Sequence, residues 1–198
     1  MYRWRKLSPE QRDETLSRRK LQRHPWHSPP HTRQTKGLYL LSATCYEHKP
    51  WIRGSDVRMD LFAAELLEIL QGHTARIDAW VVLPNHYHAV VLTECFPAML
   101  HALGRLHGRI SHQWNREDDA RGRKVWFNIL ERAITDDPHH IRAIQYVHHN
   151  PVKHGHVKRW DEWKWSSAGE YLERIGREEA ERRWKEYPLL DFGKGWDD

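Results

Sequence analysis

Cysteine is nearly absent: Cys45 and Cys95 are the only two in 198 residues. Two cannot build a disulfide framework or a four-cysteine zinc site. Long apolar runs are missing too. Nothing approaches the roughly 20 apolar residues of a membrane-spanning helix, and the opening MYRWRKLSPEQRDE lacks the apolar centre of a secretory signal. These absences point to a soluble, cytoplasmic protein without a membrane partner. What the chain has in quantity is rings: 11 Trp, 7 Tyr, 4 Phe and 16 His. The aromatic side chains supply enough burial surface to exclude a disordered chain, and the length suits one domain of ordinary size plus trimmings.

The net charge of +5 is unevenly spread. Residues 1–36 carry 10 Lys/Arg against 3 Asp/Glu, residues 37–155 carry 13 against 13, and residues 156–198 carry 9 against 11. The positive excess therefore sits in an N-terminal arm attached to a neutral body, a distribution that suits an anionic partner, nucleic acid first.

The arm, 1–36, reads as extended, after a short helix signalled by Ser8-Pro9-Glu10. From Gly37 the pattern predicts a strand at about 38–46. A helix over DVRMDLFAAELLEILQGH follows, with Val57, Leu61, Ala64, Leu67 and Ile69/Leu70 as its apolar stripe. Two apolar runs, 76–83 and 86–93, are broken by Pro84-Asn85 and read as a hairpin. A helix over 97–115 places Leu100, Leu103, Leu106 and Ile110 on one face, and VWFNILERAI reads as a strand. DDPHHIRAIQYVHHN reads as a helix opened by Asp136, Asp137 and Pro138, and expected to end near Asn150 because Pro151 disfavours helical geometry in the residue before it. One further helical stretch is expected in SSAGEYLERIGREEAERRWKEY. The order β-α-β-β-α-β-α predicts an α+β fold: a ferredoxin-like antiparallel sheet with helices on one face.

Three features can carry chemistry. His86 and His88 lie two apart in a predicted strand, so both imidazoles point to one face and can converge on a metal ion. Tyr146 and Asn150 lie one helical turn apart. A tyrosine becomes a nucleophile when its hydroxyl is held near a polarised electrophile, although Tyr146 can equally pack in the core and Asn150 cap the helix. The third feature interleaves Lys153, Lys158, Arg159 and Lys164 with Trp160, Trp163 and Trp165. This alternation suits phosphate contacts with base stacking, or a lid over a small core.

VVLPNHYHAVV, YVHHNPVKHGHV and WKWSSAGEYL, in that order and spacing, resemble the signature stretches of the single-tyrosine HUH transposases, most closely the REP-associated tyrosine transposase branch. The resemblance spans about residues 37–172, leaving the arm and a helical tail, 173–198, outside it. It implies that His86 and His88 are the two histidines of the HUH motif, Tyr146 the nucleophile and Asn150 a third metal ligand. The implied activity is a single-strand endonuclease and ligase acting by transesterification on hairpin-bearing DNA, through a 5′-phosphotyrosine link. Mg²⁺ or Mn²⁺ would polarise the scissile phosphate, and the protein would be nucleoid-associated when bound to DNA. Relatives recognise imperfect hairpins flanked by a short tetranucleotide. Charge alone nominates the arm, Arg105, Arg109, Lys153, Lys158, Arg159 and Lys164 as DNA contacts; monomer and homodimer are both compatible with the sequence.

Two other classes compete. A domesticated sequence-specific DNA-binding protein would keep the fold without transposition. A zinc hydrolase would add His148 or His149 to the His86/His88 pair, but no acidic general base lies near the motif.

Overall fold

The computed structural model describes residues 8–21 and 36–196. Chain contacts gather Gln34–Phe192 into one body, and Met1–Arg33 with Gly193–Asp198 into a second, smaller unit. Within the smaller unit, α1 (Pro9–Leu21) is the expected short helix. Ser8 Oγ accepts from the Gln11 amide at 3.3 Å while Gln11 Oε1 accepts from the Ser8 amide at 3.0 Å, a reciprocal cap that satisfies donors at the helix start. The extended segment expected after it falls outside the described residues.

The body is built on β1 (Gly37–Cys45), β2 (Arg76–Val82), β3 (His86–Thr93) and β4 (Trp126–Ala133), with α2 (Asp56–His73), α3 (Phe96–Glu117), α4 (Asp137–Lys153), α5 (Ala168–Ile175) and α6 (Arg177–Glu186). All sheet pairings are antiparallel, in the order β2-β3-β1-β4, so the chain has the expected ferredoxin-like α+β plan. The period-2 alternation of strands assigns the faces. Tyr39, Leu41, Ala43, Tyr87, Ala89 and Val91 point to α2 and α3, which lie together on one face as anticipated. Leu40, Ser42, Thr44, His86, His88 and Val90 point to the other face. There the structure adds what the sequence plan lacked: α4 lies across that second face, against β2 and β3.

On the α2/α3 face, Phe62 packs at 5.7 Å from Trp114 and 5.4 Å from Trp126, and Tyr87 at 6.0 Å from Trp126, all measured between ring centres. Burying each such side chain stabilises the fold by about 1.5–3 kcal/mol. The helix stripe on α2 differs from the expected one. Met59, Phe62, Ala63, Leu66 and Leu70 are buried, while Val57 and Leu61 are exposed. Two apolar faces compete in this helix, and the one carrying Phe62 prevails.

Three local features position the site. In β2 the register slips between Ile77 and Ala79, so Asp78 is an extra residue and points with Ala79 toward α4. Trp165–Ser167 pairs along the free edge of β2: Val82 N donates to Trp165 O at 2.8 Å and Ser167 N to Trp80 O at 3.0 Å. The WKWSS stretch is therefore an edge cover for the sheet. Finally, α4 does not stop at Asn150. It runs through Pro151 to Lys153, because fully buried Asn150 is tied to the sheet and the missing proline N–H falls in a last turn that His154 closes by donating to Asn150 O at 3.0 Å. The expected single tail helix is likewise two, α5 and α6, divided at Gly176, whose φ of 80° breaks the helical path.

Candidate active site

The hairpin between β2 and β3 delivers the histidines. Leu83 N donates to His86 O at 2.8 Å, and Cys45 N and Ile52 N hold the tip by donating to Asn85 O (2.7 Å) and Pro84 O (3.0 Å). His86 and His88 thus enter β3 on the α4 face, their rings 5.0 Å apart and both almost fully buried. The first turn of α4 is capped by Asp136, which accepts from His139 N at 2.7 Å. About two and three turns further on, α4 brings Tyr146 to 5.2 Å from the His88 ring and Asn150 Oδ1 to 2.9 Å from His86 Nε2. His86, His88, Tyr146 and Asn150, separate in sequence by up to 64 residues, therefore meet between β3 and α4.

Each imidazole is held from behind. Ser42 Oγ is hydrogen-bonded to His88 Nδ1 at 2.7 Å, across the Ser42–His88 pair of the β1–β3 ladder. Asn85 donates through Nδ2 to the His48 carbonyl at 3.2 Å, which turns its Oδ1 toward His86 Nδ1 at 2.8 Å. Oδ1 can only accept, so Nδ1 carries the proton and Nε2 presents its lone pair. That lone pair faces Asn150 Oδ1, another acceptor. Two acceptors at this distance need a proton or a cation between them. Adjacent ligands of an octahedral ion about 2.1 Å from each stand about 3 Å apart, so the separation fits a shared divalent cation. Among the described residues no cluster of three or more His, Cys, Asp and Glu side chains forms a metal site; the donor set available here is two imidazoles and an amide. Phosphate oxygens and water would have to complete it, a set that suits Mg²⁺ or Mn²⁺.

Tyr146 is 2% exposed, a burial that the core-packing reading also expects. The Phe192 ring lies 5.9 Å from it and Lys153 Nζ 5.3 Å from its centre. The N-terminal half of α4 is fastened to β2 through Asp78, whose Oδ2 is 2.8 Å from His140 Nε2 and 3.0 Å from Arg76 Nη2. Burial pushes this carboxyl up, but the bonds from His140 and Arg76 outweigh it and hold it below the ordinary carboxylate range.

The other nominated residues scatter. Arg105 and Arg109 lie on α3, on the face of the sheet opposite the histidines, and Arg109 pairs with Glu65 at 3.0 Å. Arg159 pairs with Asp161 at 2.7 Å and Lys164 with Asp60 at 3.4 Å. Lys158 is exposed beyond α4, and Lys153 alone reaches the tyrosine. Trp165 is buried and donates to Asp60, and Trp160 stacks on His148 at 5.9 Å, so much of the tryptophan-lysine stretch is a lid. His148 and His149 do not join the pair. His148 is buried against Tyr171 at 4.9 Å with Nε2 bonded to Ser167 Oγ at 2.9 Å, and His149 faces Trp184 at 5.5 Å. The zinc-hydrolase arrangement is thus not assembled. Ser42, Asn85 and Asp78 were missed from sequence. The available signal was a polar side chain in an otherwise buried strand position, as at Ser42.

A ferredoxin-like sheet that presents a His-x-His strand to a tyrosine-bearing helix defines the class of fold to which this chain is similar: that of single-tyrosine HUH transposases. In particular, it resembles the REP-associated tyrosine transposases. The chain is 27% identical over 104 residues to the REP-associated tyrosine transposase of Escherichia coli (strain K12), a match taking in 52% of this chain and 59% of that protein. Its fold is similar to a solved REP-associated tyrosine transposase bound to a REP hairpin, with a TM-score of 0.58 and 19% identity over 74% of this chain and 86% of that one. No protein-family model matches the chain.

Proposed function

We propose that the protein is a divalent-metal-dependent single-stranded DNA strand transferase, acting on hairpin-bearing DNA in the manner its transposase relatives suggest. The observation that carries this reading is the convergence of His86, His88 and Asn150 with Tyr146 in one buried seam between β3 and α4. His86 Nε2, His88 and Asn150 Oδ1 would hold the ion. When bound, a divalent cation supplies Lewis-acid polarisation of a phosphoryl oxygen. Asn85 and Ser42 hold the two imidazoles in place. Tyr146 Oη attacks the phosphorus. An O–P bond forms to tyrosine as the P–O3′ bond breaks, and the tyrosine proton passes to solvent while the leaving 3′-oxygen takes one up. Lys153, already over the Tyr146 ring, meets the charge of the 5′-phosphotyrosine. Attack by another 3′-hydroxyl then reverses the exchange, so bond energy is conserved and no nucleotide cofactor is required.

The burial of Tyr146 favours a second reading: a sequence-specific DNA-binding protein without transposition. One experiment separates the two. The protein is incubated with single-stranded hairpin oligonucleotides and Mg²⁺ or Mn²⁺, then run on a denaturing gel. A covalent adduct that disappears in Tyr146→Phe is the expected result. Cleavage that survives Tyr146→Phe overturns the proposal, and binding without any adduct favours the second reading.

A further inference from the structure

A row of rings leads out of the seam. From Tyr146 it passes through His88 (5.2 Å) and His86 (5.0 Å), then to His154 at 4.9 Å, His156 at 6.4 Å and Trp163 at 5.2 Å. The first three rings are buried. His154 is exposed, and His156 and Trp163 are half-buried. The outer three also lie near parallel, at 29° between His154 and His156 and 27° between His156 and Trp163. Their positions are fixed by the backbone. His154 closes α4, and His156 N donates to Pro151 O at 2.9 Å. Trp163 Nε1 donates to Val82 O at 2.8 Å, which pins the indole by its edge. Arg53, in the turn whose amide bonds to Pro84 O, lies close enough for its charge to bear on His156. Flat rings in file beside a cation are the elements from which proteins build platforms for unpaired bases.

We infer that His154, His156 and Trp163 form a stacking track for two or three unpaired nucleotides of DNA running out from the His86–Tyr146 seam. The inference rests on the strand-transferase reading and adds to it where the single strand lies. It also separates the tryptophans by task. Trp163, stacked beside His156, is a platform, while Trp165 and Trp160 belong to the lid. A phosphate held at His86 would put the next sugar and base beside His154, and stacking tolerates any base because each has a π-face.

Binding of two fluorescent DNA hairpins is measured by anisotropy in a Tyr146→Phe background, which prevents cleavage. One hairpin carries a four-nucleotide single-stranded extension and the other is blunt. The extension is expected to tighten binding by about 5-fold or more, the scale of one stacked base. In His154→Ala/His156→Ala that gain falls to about one, with blunt binding and thermal midpoint unchanged, and His154→Phe/His156→Phe restores it. A gain that persists in the alanine pair overturns the track, as does a phenylalanine pair that fails to restore it. So does a protein that binds both hairpins equally, an outcome that leaves the strand-transferase reading standing. Failure to bind either hairpin removes both.

Discussion

Asn85 Oδ1 accepts the Nδ1 proton of His86 at 2.8 Å, and the same amide donates to the His48 carbonyl from its other side. This clamp decides which nitrogen of His86 has a free lone pair. In Asn85→Ala the imidazole can turn or change tautomer. Mn²⁺ affinity, followed by the electron paramagnetic resonance of the free ion, is expected to fall about 10–100-fold, the usual effect of removing such a partner. Unchanged affinity would mean that His86 is not a ligand.

The Asp78–His140 contact ties the first turns of α4 to β2. His140→Ala is expected to cost about 1–2 kcal/mol, since it leaves one face of a buried carboxylate without its hydrogen bond. Hydrogen exchange should quicken first at the α4 amides near residues 141–144. Because the Asp78 carboxyl is held below its ordinary value, its contribution is present above the usual carboxylate range and fades as pH falls through the lowered value.

Two buried histidines make stability depend on pH nearer neutrality. Burial pushes both His107 and His148 down to about 3. His107 is stacked on Trp126 at 4.2 Å and bonded to Tyr87 Oη at 3.1 Å; His148 is bonded to Ser167. Both are neutral in the folded protein, whereas an unfolded chain takes up protons below its ordinary histidine value of about 6.5. Stability is therefore complete above that value and declines as pH falls from about 6.5 toward 3. The thermal midpoint should drop steadily from pH 7 to pH 4, and the slope should lessen in His107→Phe, which keeps the stack on Trp126. An identical slope in that variant would assign the dependence to other groups.

Gln145, next to the tyrosine, is 2% exposed, and neither polar atom of its side chain has a hydrogen-bond partner among the described residues. Exchanging an unbonded buried amide for an apolar side chain of similar shape relieves about 1–2 kcal/mol. Gln145→Met should raise the thermal midpoint; a fall would show that the amide is bonded through water.

The succession of strands and helices along the chain was legible in the sequence because its elements alternate between period 2 and period 3.6 with clean stops at Gly72 and Pro84-Asn85. The shared face of His86 and His88 follows from strand geometry alone, and the meeting of Tyr146 with them was reachable only through resemblance. What stayed hidden was set by contacts distant in sequence. Nothing local shows that Ser42 lies opposite His88, that Asn85 clamps His86, or that α4 occupies the second face. The continuation of α4 through Pro151 was hidden for the same reason, since Asn150 is held helical by a histidine 64 residues away. Two misreadings were local. The α2 stripe was ambiguous between two apolar faces, and Gly176 was read through although a glycine between two charged helical stretches is a stop signal.

The slipped register at Asp78 also separates two jobs that a strand usually combines. Ile77 points to the α2/α3 side, Asp78 and Ala79 both to the α4 side, and Trp80 back again. Deleting Asp78 would leave Ile77 and Ala79 in perfect alternation, so every later side chain of β2 would keep its face and the hairpin would still deliver His86 and His88. Only the brace on the tyrosine helix would be lost. A single codon thus sets how firmly Tyr146 is held against the histidines, independently of the sheet that carries them.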